Sequence, residues 1–330
     1  MSSILIVGIG SIGRRHIENF SNHFKNIDIA EINNERIEQA NKDFKINKSF
    51  NDYREALNSE TYDAIAITTP PHIHLDIAKD ALKKNINLFI EKPLGVSSEG
   101  WKDLSLEVIN KNLIGFVAYC HRFIPYTKRL KEIIDNRLIG QPLHANIRWG
   151  SYLPDWHPYE DYRSFYMAKK DQGGGALLDE SHGIDLLRYI LGEPKKIAAM
   201  LGNVSNLEIT SDDAAFLTFE LEQGILAHIN FDLVSRVPRI SFEIVCSEGT
   251  VIWDRMEHEI RIFNVTENKW SIENFTKDDL MSMYPLQAKH FYDCIFNNEE
   301  PMVDIEDSIK TQKIIDACFK SNEDNNFKTI

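Results

Sequence analysis

The first third of this chain alternates short apolar runs with amphipathic stretches, and a glycine-rich turn stands at the first junction. "ILIV", "IDIAEI", "YDAIAIT", "INLFIE" and "LIGFVAY" read as strands. Between them, "RRHIENF", "NERIEQANKDF", His74–Lys84 and the stretch around Gly100–Asn112 carry helical periodicity. In His74–Lys84, for example, Ile77, Ala78, Ala81 and Leu82 share one face. Continuous apolar strands alternating with helices predict a parallel sheet covered on both faces, the doubly wound α/β architecture.

After Tyr119 the rhythm changes. A helix is expected over Tyr126–Asp135 and a strand at "PLHANIRWG". Residues 151–172, rich in aromatic and charged groups, read as a loop, and "GGGALLDESHGIDLLRYILG" reads as one glycine-started helix ending near Gly192. "AAFLTFEL", "GILAHINFDL", "ISFEIVCS" and "TVIWD" then follow without intervening helices, which predicts an antiparallel sheet. The tail returns to helix at "LQAKHFYDCIF" and "DSIKTQKIIDACF". With 330 residues the chain exceeds one ordinary core, so two domains are expected, 1–120 and 121–330.

Composition narrows the partners. Thirty-seven basic against 50 acidic side chains give a net charge of −13, and no basic tract reverses it, which argues against nucleic acid. Cys120, Cys246, Cys294 and Cys318 form no CxxC pair, so neither a metal site nor a redox motif is expected. Scattered thiols, a poor signal peptide and no run near the roughly 20 apolar residues of a membrane span point to a cytoplasmic protein.

The turn Gly8-Ile9-Gly10-Ser11-Ile12-Gly13 has the GxGxxG spacing, directly after a strand and before a helix. The first glycine permits the tight turn, the second lets a pyrophosphate approach the backbone, and the third allows close helix–strand packing. Glu31 ends the second strand, 18 residues after Gly13. A carboxylate there can accept both ribose hydroxyls of an adenosine and would repel a 2′-phosphate, so NAD is favoured over NADP. Arg36 lies nearby, and a solvated helix face explains it as well. Methyltransferases also use such turns with an acidic residue after the second strand. The turn and Glu31 alone leave that reading open.

The fourth strand ends in "FIEKPLG", which places Glu91, Lys92 and Pro93 at the carboxyl end of a parallel strand, where ligands bind in such sheets. Together with GIGSIG, "TTPPHIH", "YCHRF", "GGGALLDESHGID" and "HFYDCIFNNEEPMVDIEDS", in this order, the chain resembles the glucose–fructose oxidoreductase/inositol dehydrogenase (Gfo/Idh/MocA) family over essentially its whole length. The resemblance implies an N-terminal Rossmann-type NAD(P)-binding domain. It also implies a C-terminal α/β domain with a large open, mainly antiparallel sheet that binds substrate and often mediates dimer or tetramer assembly. Members oxidise or reduce sugars, cyclitols and related alcohols or carbonyls. By residue, Lys92 matches the family's active-site lysine and His182 its active-site histidine. Asp179 stands three residues before His182, where many members have the aspartate four before. It is expected as a substrate or proton-relay partner, with Asp185 a structural helix residue. The Lys92–Pro93 bond is expected to be cis.

The cofactor-binding set expected on this basis is Gly8, Gly10, Ser11, Ile12, Gly13, Glu31, Thr68, Thr69, Pro70, His74, Glu91 and Lys92. For His74 a helix-starting role after a proline turn fits equally. Around the substrate the expected residues are Lys92, Tyr119, Arg122, Trp156, His157, Tyr162, Arg163, Asp179 and His182. Tyr119 and Arg122 fit an interdomain structural role equally, and the aromatic loop with Tyr159 fits surface packing. Within the same family, a reductase of a non-sugar carbonyl or diol is the alternative. Outside it, a non-catalytic dinucleotide sensor is opposed by Lys92 with His182, and a methyltransferase is opposed by the EKP motif.

Overall fold

The computed structural model describes residues 2–156, 158 and 160–330. The chain divides into two compact units, Met1–Cys120 with Ser282–Lys310, and His121–Met281 with Thr311–Ile330.

In the first unit, β1 (Ser3–Val7), β2 (Asn26–Ala30), β3 (Lys48–Phe50), β4 (Ala64–Ile67), β5 (Asn87–Ile90) and β6 (Gly115–Val117) form one parallel sheet in the order β3-β2-β1-β4-β5-β6. The connections are α1 (Ser11–Phe20), α2 (Asn34–Asp43), α3 (Tyr53–Ser59), α4 (His74–Leu82) and α5 (Trp101–Asn110). Ile4, Leu5, Ile6 and Ala64–Ile67 are wholly buried, as strands covered on both faces must be. β3 and α3 had no counterpart in the sequence reading. β3 is a three-residue edge strand with two exposed positions, and α3 is a seven-residue helix started by the Asp52 carboxylate on the Arg54 N–H.

In the second unit come α6 (Pro125–Asp135), β7 (Pro142–Tyr152), α7 (Ala176–Asp179), α8 (His182–Leu191), β8 (Pro194–Gly202), β9 (Ala214–Leu221), β10 (Leu226–Asp232) and β11 (Val234–Cys246). They are followed by β12 (Gly249–Asp254), β13 (Glu259–Asn264), β14 (Lys269–Asn274) and α9 (Lys277–Met281). Two long helices, α10 (Met283–Phe296) and α11 (Ile305–Asp324), and the short β15 (Lys328–Thr329) close the chain. The sheet has nine strands in the order β14-β13-β12-β11-β7-β10-β9-β8-β15. Every pairing is antiparallel except β7 with β10. Ala227, Ile229 and Phe231 of β10 face the core, while Leu226 faces out, its partner Glu220 lying on the same face of β9 as Phe216, which pairs with Met200 of β8.

Three expectations are corrected. Ser282–Lys310, read as part of the second domain, packs in the first unit, because Phe291 of α10 inserts among Phe20, Phe89 and Phe116, with ring centroids 5.3–5.9 Å apart. The glycine-started helix of residues 173–192 is two helices. Glu180 leaves the helical region (φ −87°, ψ 20°) between α7 and α8, and Gly192 closes α8 in a positive-φ conformation. Residues 151–172 hold the end of β7 and four single turns of 3-10 helix rather than an unstructured loop.

Candidate active site

At the carboxyl end of the parallel sheet the glycine turn is held by its neighbours. Gly8 adopts φ +91°, and its N–H donates to the Ala30 carbonyl. Thr68, just beyond β4, places its hydroxyl 2.6 Å from the Gly8 carbonyl and 2.9 Å from that of Val7. At Gly13 an added Cβ would sit 2.0 Å from the Gly8 carbonyl, so only glycine lets α1 approach the turn this closely. Gly10 is different. A Cβ there would meet nothing within 4 Å, and Gly10 supplies no side-chain cap to α1. The first N–H groups of the helix, at Ser11 and Ile12, therefore take no side-chain cap from Gly10, as an anion-binding helix terminus requires.

Glu31 follows β2 and is buried. Its carboxylate accepts the Ile9 N–H at 2.7 Å and the Asn33 N–H at 3.0 Å, which fixes it beside the glycine turn. A carboxylate has about four acceptor positions, so lone pairs remain for ribose hydroxyls. Arg36, half exposed on α2, lies 4.0 Å from the same carboxylate. Glycines, open helix terminus and fixed acid together fit a dinucleotide.

The β4 and β5 ends carry the rest of the expected set. His74 begins α4 wholly buried, with Nε2 2.7 Å from the Thr69 carbonyl. Burial pushes its imidazole below the ordinary value, opposed by that carbonyl and by the charge of Glu91. His74 thus ties down the Thr69–Pro70 loop. After β5, Glu91 turns one carboxylate oxygen to the Lys92 N–H at 3.0 Å and the other to His16 Nε2 at 2.6 Å. The Lys92–Pro93 bond is cis. Tyr119 has no exposed surface and lies in the apolar cluster with Leu94, Val117 and Trp101, a placement that packing alone explains.

In the second unit, Asp179, Glu180, Ser181, His182, Asp185 and Arg188 are all buried, a run of polar groups that is costly unless satisfied. His182 opens α8. Its ring lies 4.3 Å from His121 and stacks on Trp149 of β7 at 5.9 Å between centroids. Gly183 permits this approach, since a Cβ there would fall 2.5 Å from the Phe231 ring, and Phe231 pairs with Trp149 across the parallel β7–β10 contact. Asp179 accepts a 2.5 Å hydrogen bond from Tyr166. The helix break removes the continuous-helix argument that made Asp179 and His182 neighbours three residues apart.

Arg122 grips Asp185 with two bonds, Nε to Oδ2 at 2.9 Å and Nη2 to Oδ1 at 2.6 Å, and lies over the Tyr189 ring. Its fork therefore serves a buried protein carboxylate, and Asp185 has the structural place expected for it. Trp156 donates to Ser151, Tyr162 Oη accepts the Glu208 N–H, and exposed Arg163 pairs with Asp161 and Glu208. These contacts hold the loop to itself and to residue 208. His157 and Tyr159 lie outside the described residues.

His16, Tyr166 and His121 escaped the sequence reading as site residues. His16 and Tyr166 act through partners 75 and 13 positions away. For His121, the neighbouring Arg122 in "YCHRF" was the available signal.

Residues 2–119 match the family described as "Oxidoreductase family, NAD-binding Rossmann fold", and residues 127–252 match "GFO/IDH/MocA C-terminal domain". The chain belongs to the Gfo/Idh/MocA family of oxidoreductases. It is 31% identical to the uncharacterized oxidoreductase YrbE of Bacillus subtilis (strain 168) over 68% of this chain and 65% of that protein, slightly under two thirds of its length. It is 26% identical to the scyllo-inositol 2-dehydrogenase (NAD(+)) of the same organism over 93% of this chain and 90% of that one. The fold matches levoglucosan dehydrogenase in complex with NADH and levoglucosan, with a TM-score of 0.88, 21% identity, and coverage of 100% and 99% of the two chains. As a Gfo/Idh/MocA protein it pairs a six-stranded Rossmann sheet with a nine-stranded mixed, mainly antiparallel sheet. No helix among the described residues is long and apolar enough to cross a membrane. All four cysteines are buried, and none is in a disulfide. Burial pushes the Cys246 thiol up to about 11 and the Cys294 thiol up to about 12, well away from nucleophilic use.

Proposed function

We propose that this protein is an NAD-preferring dehydrogenase of a sugar, sugar derivative or cyclitol. The observation that carries the reading is within one sheet. The glycine turn with its open helix terminus and Lys92 both stand at the carboxyl ends of parallel strands, β1 and β5. That end of a doubly wound sheet is where ligands bind.

Gly8, Gly10, Ser11, Ile12 and Gly13 would hold the pyrophosphate, and Glu31 the adenosine ribose. Thr68, Thr69, Pro70 and His74 shape the loop beside the turn. Bound there, NAD would accept or return the hydride of a substrate carbinol. The chain's own task is the proton on the reacting oxygen. Lys92 Nζ and the His182 imidazole orient that oxygen and take or return its proton, with Asp179 as relay partner. A positioned base of this kind contributes roughly 10²–10⁴-fold. A free lysine, with a pKa of about 10.4, is a poor base at neutral pH, so its surroundings must favour the neutral amine. Trp156, Tyr162 and Arg163 offer aromatic faces and a guanidinium to a sugar. The exposed apolar side chains Met200, Phe216 and Leu226 on the outward face of the sheet suit a homodimer or homotetramer.

A panel of sugars, sugar acids, inositols and nucleotide sugars, scored for NADH formation, tests the reading. At least one cyclitol or sugar is expected to turn over. NADH binding with no turnover across the panel would favour a dinucleotide sensor. For cofactor choice, Glu31→Ala is expected to weaken NAD binding and reduce discrimination against NADP, and an unchanged preference overturns the role of Glu31.

A further inference from the structure

His16 is a buried imidazole that the proposed chemistry does not use. It sits on α1, about one and a half turns beyond the end proposed to bind the pyrophosphate, with 1% of its surface exposed. Phe89 packs edge-on against its ring at 4.8 Å between centroids, and Phe20 stacks at 5.6 Å. Its Nε2 lies 2.6 Å from Glu91 Oε1. The second oxygen of the same carboxylate accepts the Lys92 N–H at 3.0 Å. His16 Nδ1 is buried and has no hydrogen-bond partner among the described residues. A proton on Nδ1 would therefore be an unsatisfied buried donor, which places the ring proton on Nε2, pointing at Glu91.

We propose that His16 and Glu91 are positioning residues for Lys92. The chain of bonds runs from His16 Nε2–H to Glu91 Oε1, and from Glu91 Oε2 to the Lys92 N–H. It anchors the lysine's backbone to the helix whose N-terminus is the phosphate site. The same carboxylate would otherwise be a buried charge with no fixed orientation, free to swing away from the Lys92 amide. His74 and Tyr284 feel the charge of Glu91, and Lys92 follows it in the chain. Arg15 lies over the Tyr284 ring, with its guanidinium carbon 4.4 Å from the ring centroid. That leaves His16 as the imidazole bonded directly to Glu91.

The inference rests on reading Lys92 as an active-site lysine, but its test does not. Amide hydrogen exchange of the full chain, labelled with ¹⁵N-lysine, reads the Lys92 N–H whatever the side chain does chemically. The amides of Lys83 and Lys111, bonded to helix carbonyls, serve as internal controls. In His16→Leu the Lys92 amide is expected to exchange about tenfold faster or more, with both controls unchanged, since a hydrogen bond to a charged group is lost in fixed form. His16→Gln presents an N–H close to the position of Nε2, and its Lys92 amide is expected to exchange within about threefold of the wild-type rate. An unchanged rate in His16→Leu, or equal acceleration in His16→Gln, overturns the proposal. If His16→Leu does not fold, Glu91→Gln is read instead. It has one acceptor oxygen for two partners, so a several-fold acceleration at Lys92 supports the proposal and a wild-type rate overturns it. Loss of turnover in Lys92→Ala with the exchange result intact would separate the two claims.

Discussion

The two units hold their functional groups by different means. In the first, the proposed nucleotide seat is made mostly of backbone. Gly8 and Gly13 set the turn, α1 offers its own N–H groups, and single side chains such as Thr68 and His74 fasten carbonyls already placed by strand ends. In the second, His182 stands at a break between two short helices amid buried polar side chains, and its surroundings are ring packing and side-chain pairs such as Arg122 with Asp185. A backbone-built site tolerates loss of a supporting hydroxyl, because the strands still define it. A side-chain-built site depends on each buried pair, because removing one partner strands the other.

The largest expected effect tests that contrast in the second unit. Arg122→Ala leaves Asp185, which has no exposed surface, without its bidentate partner, and is expected to cost about 3–5 kcal/mol in denaturant unfolding. Thr68→Val, which removes the hydroxyl from the Gly8 and Val7 carbonyls, is expected to cost only about 1 kcal/mol. Equal losses in the two variants would break the comparison.

A smaller effect concerns the segment leading to His182. Asp212 accepts the Leu177 N–H at the start of α7, and burial pushes its carboxyl up to about 6, against the lowering by that N–H. Because the folded-state value lies above the unfolded one, the stability tied to its proton is full below about pH 4 and is lost as pH rises through about 6. Relative to wild type, Asp212→Asn is therefore expected to gain about 2 kcal/mol between those limits, read as the difference in thermal midpoints at the two pH values. A constant difference across the range would remove Asp212 from the account.

The same contrast explains what the sequence made legible. β1, β2, β4, β5 and β6 are buried on both faces and so appear as continuous apolar runs, and the glycine turn is local in sequence. The edge strand "KSF" and the outer hairpin "EIRIFN"/"KWSIEN" carry little burial, and their pattern was correspondingly faint. Periodicity ran through residues 173–192 without a gap because both α7 and α8 are buried. Nothing local marks the break at Glu180. The aromatic face of α10 predicts burial, yet a single sequence does not say against which core, so Ser282–Lys310 was assigned to the wrong one. Lys92, His182 and Glu31 are proposed as site residues from motifs alone. His16 and Tyr166 were missed because their partners are set by tertiary packing. Arg122, read as a substrate contact or a structural residue, has its fork on Asp185.

Lys92 is proposed to handle the proton of a reacting alcohol beside a nucleotide seat it does not build. The most direct measurement is Lys92→Ala, with NADH affinity by titration and turnover on whichever substrate the panel identifies. NADH affinity is expected to stay within about threefold of wild type and turnover to fall by about 10²-fold or more. Surviving turnover, or NADH affinity lost together with it, would contradict that role.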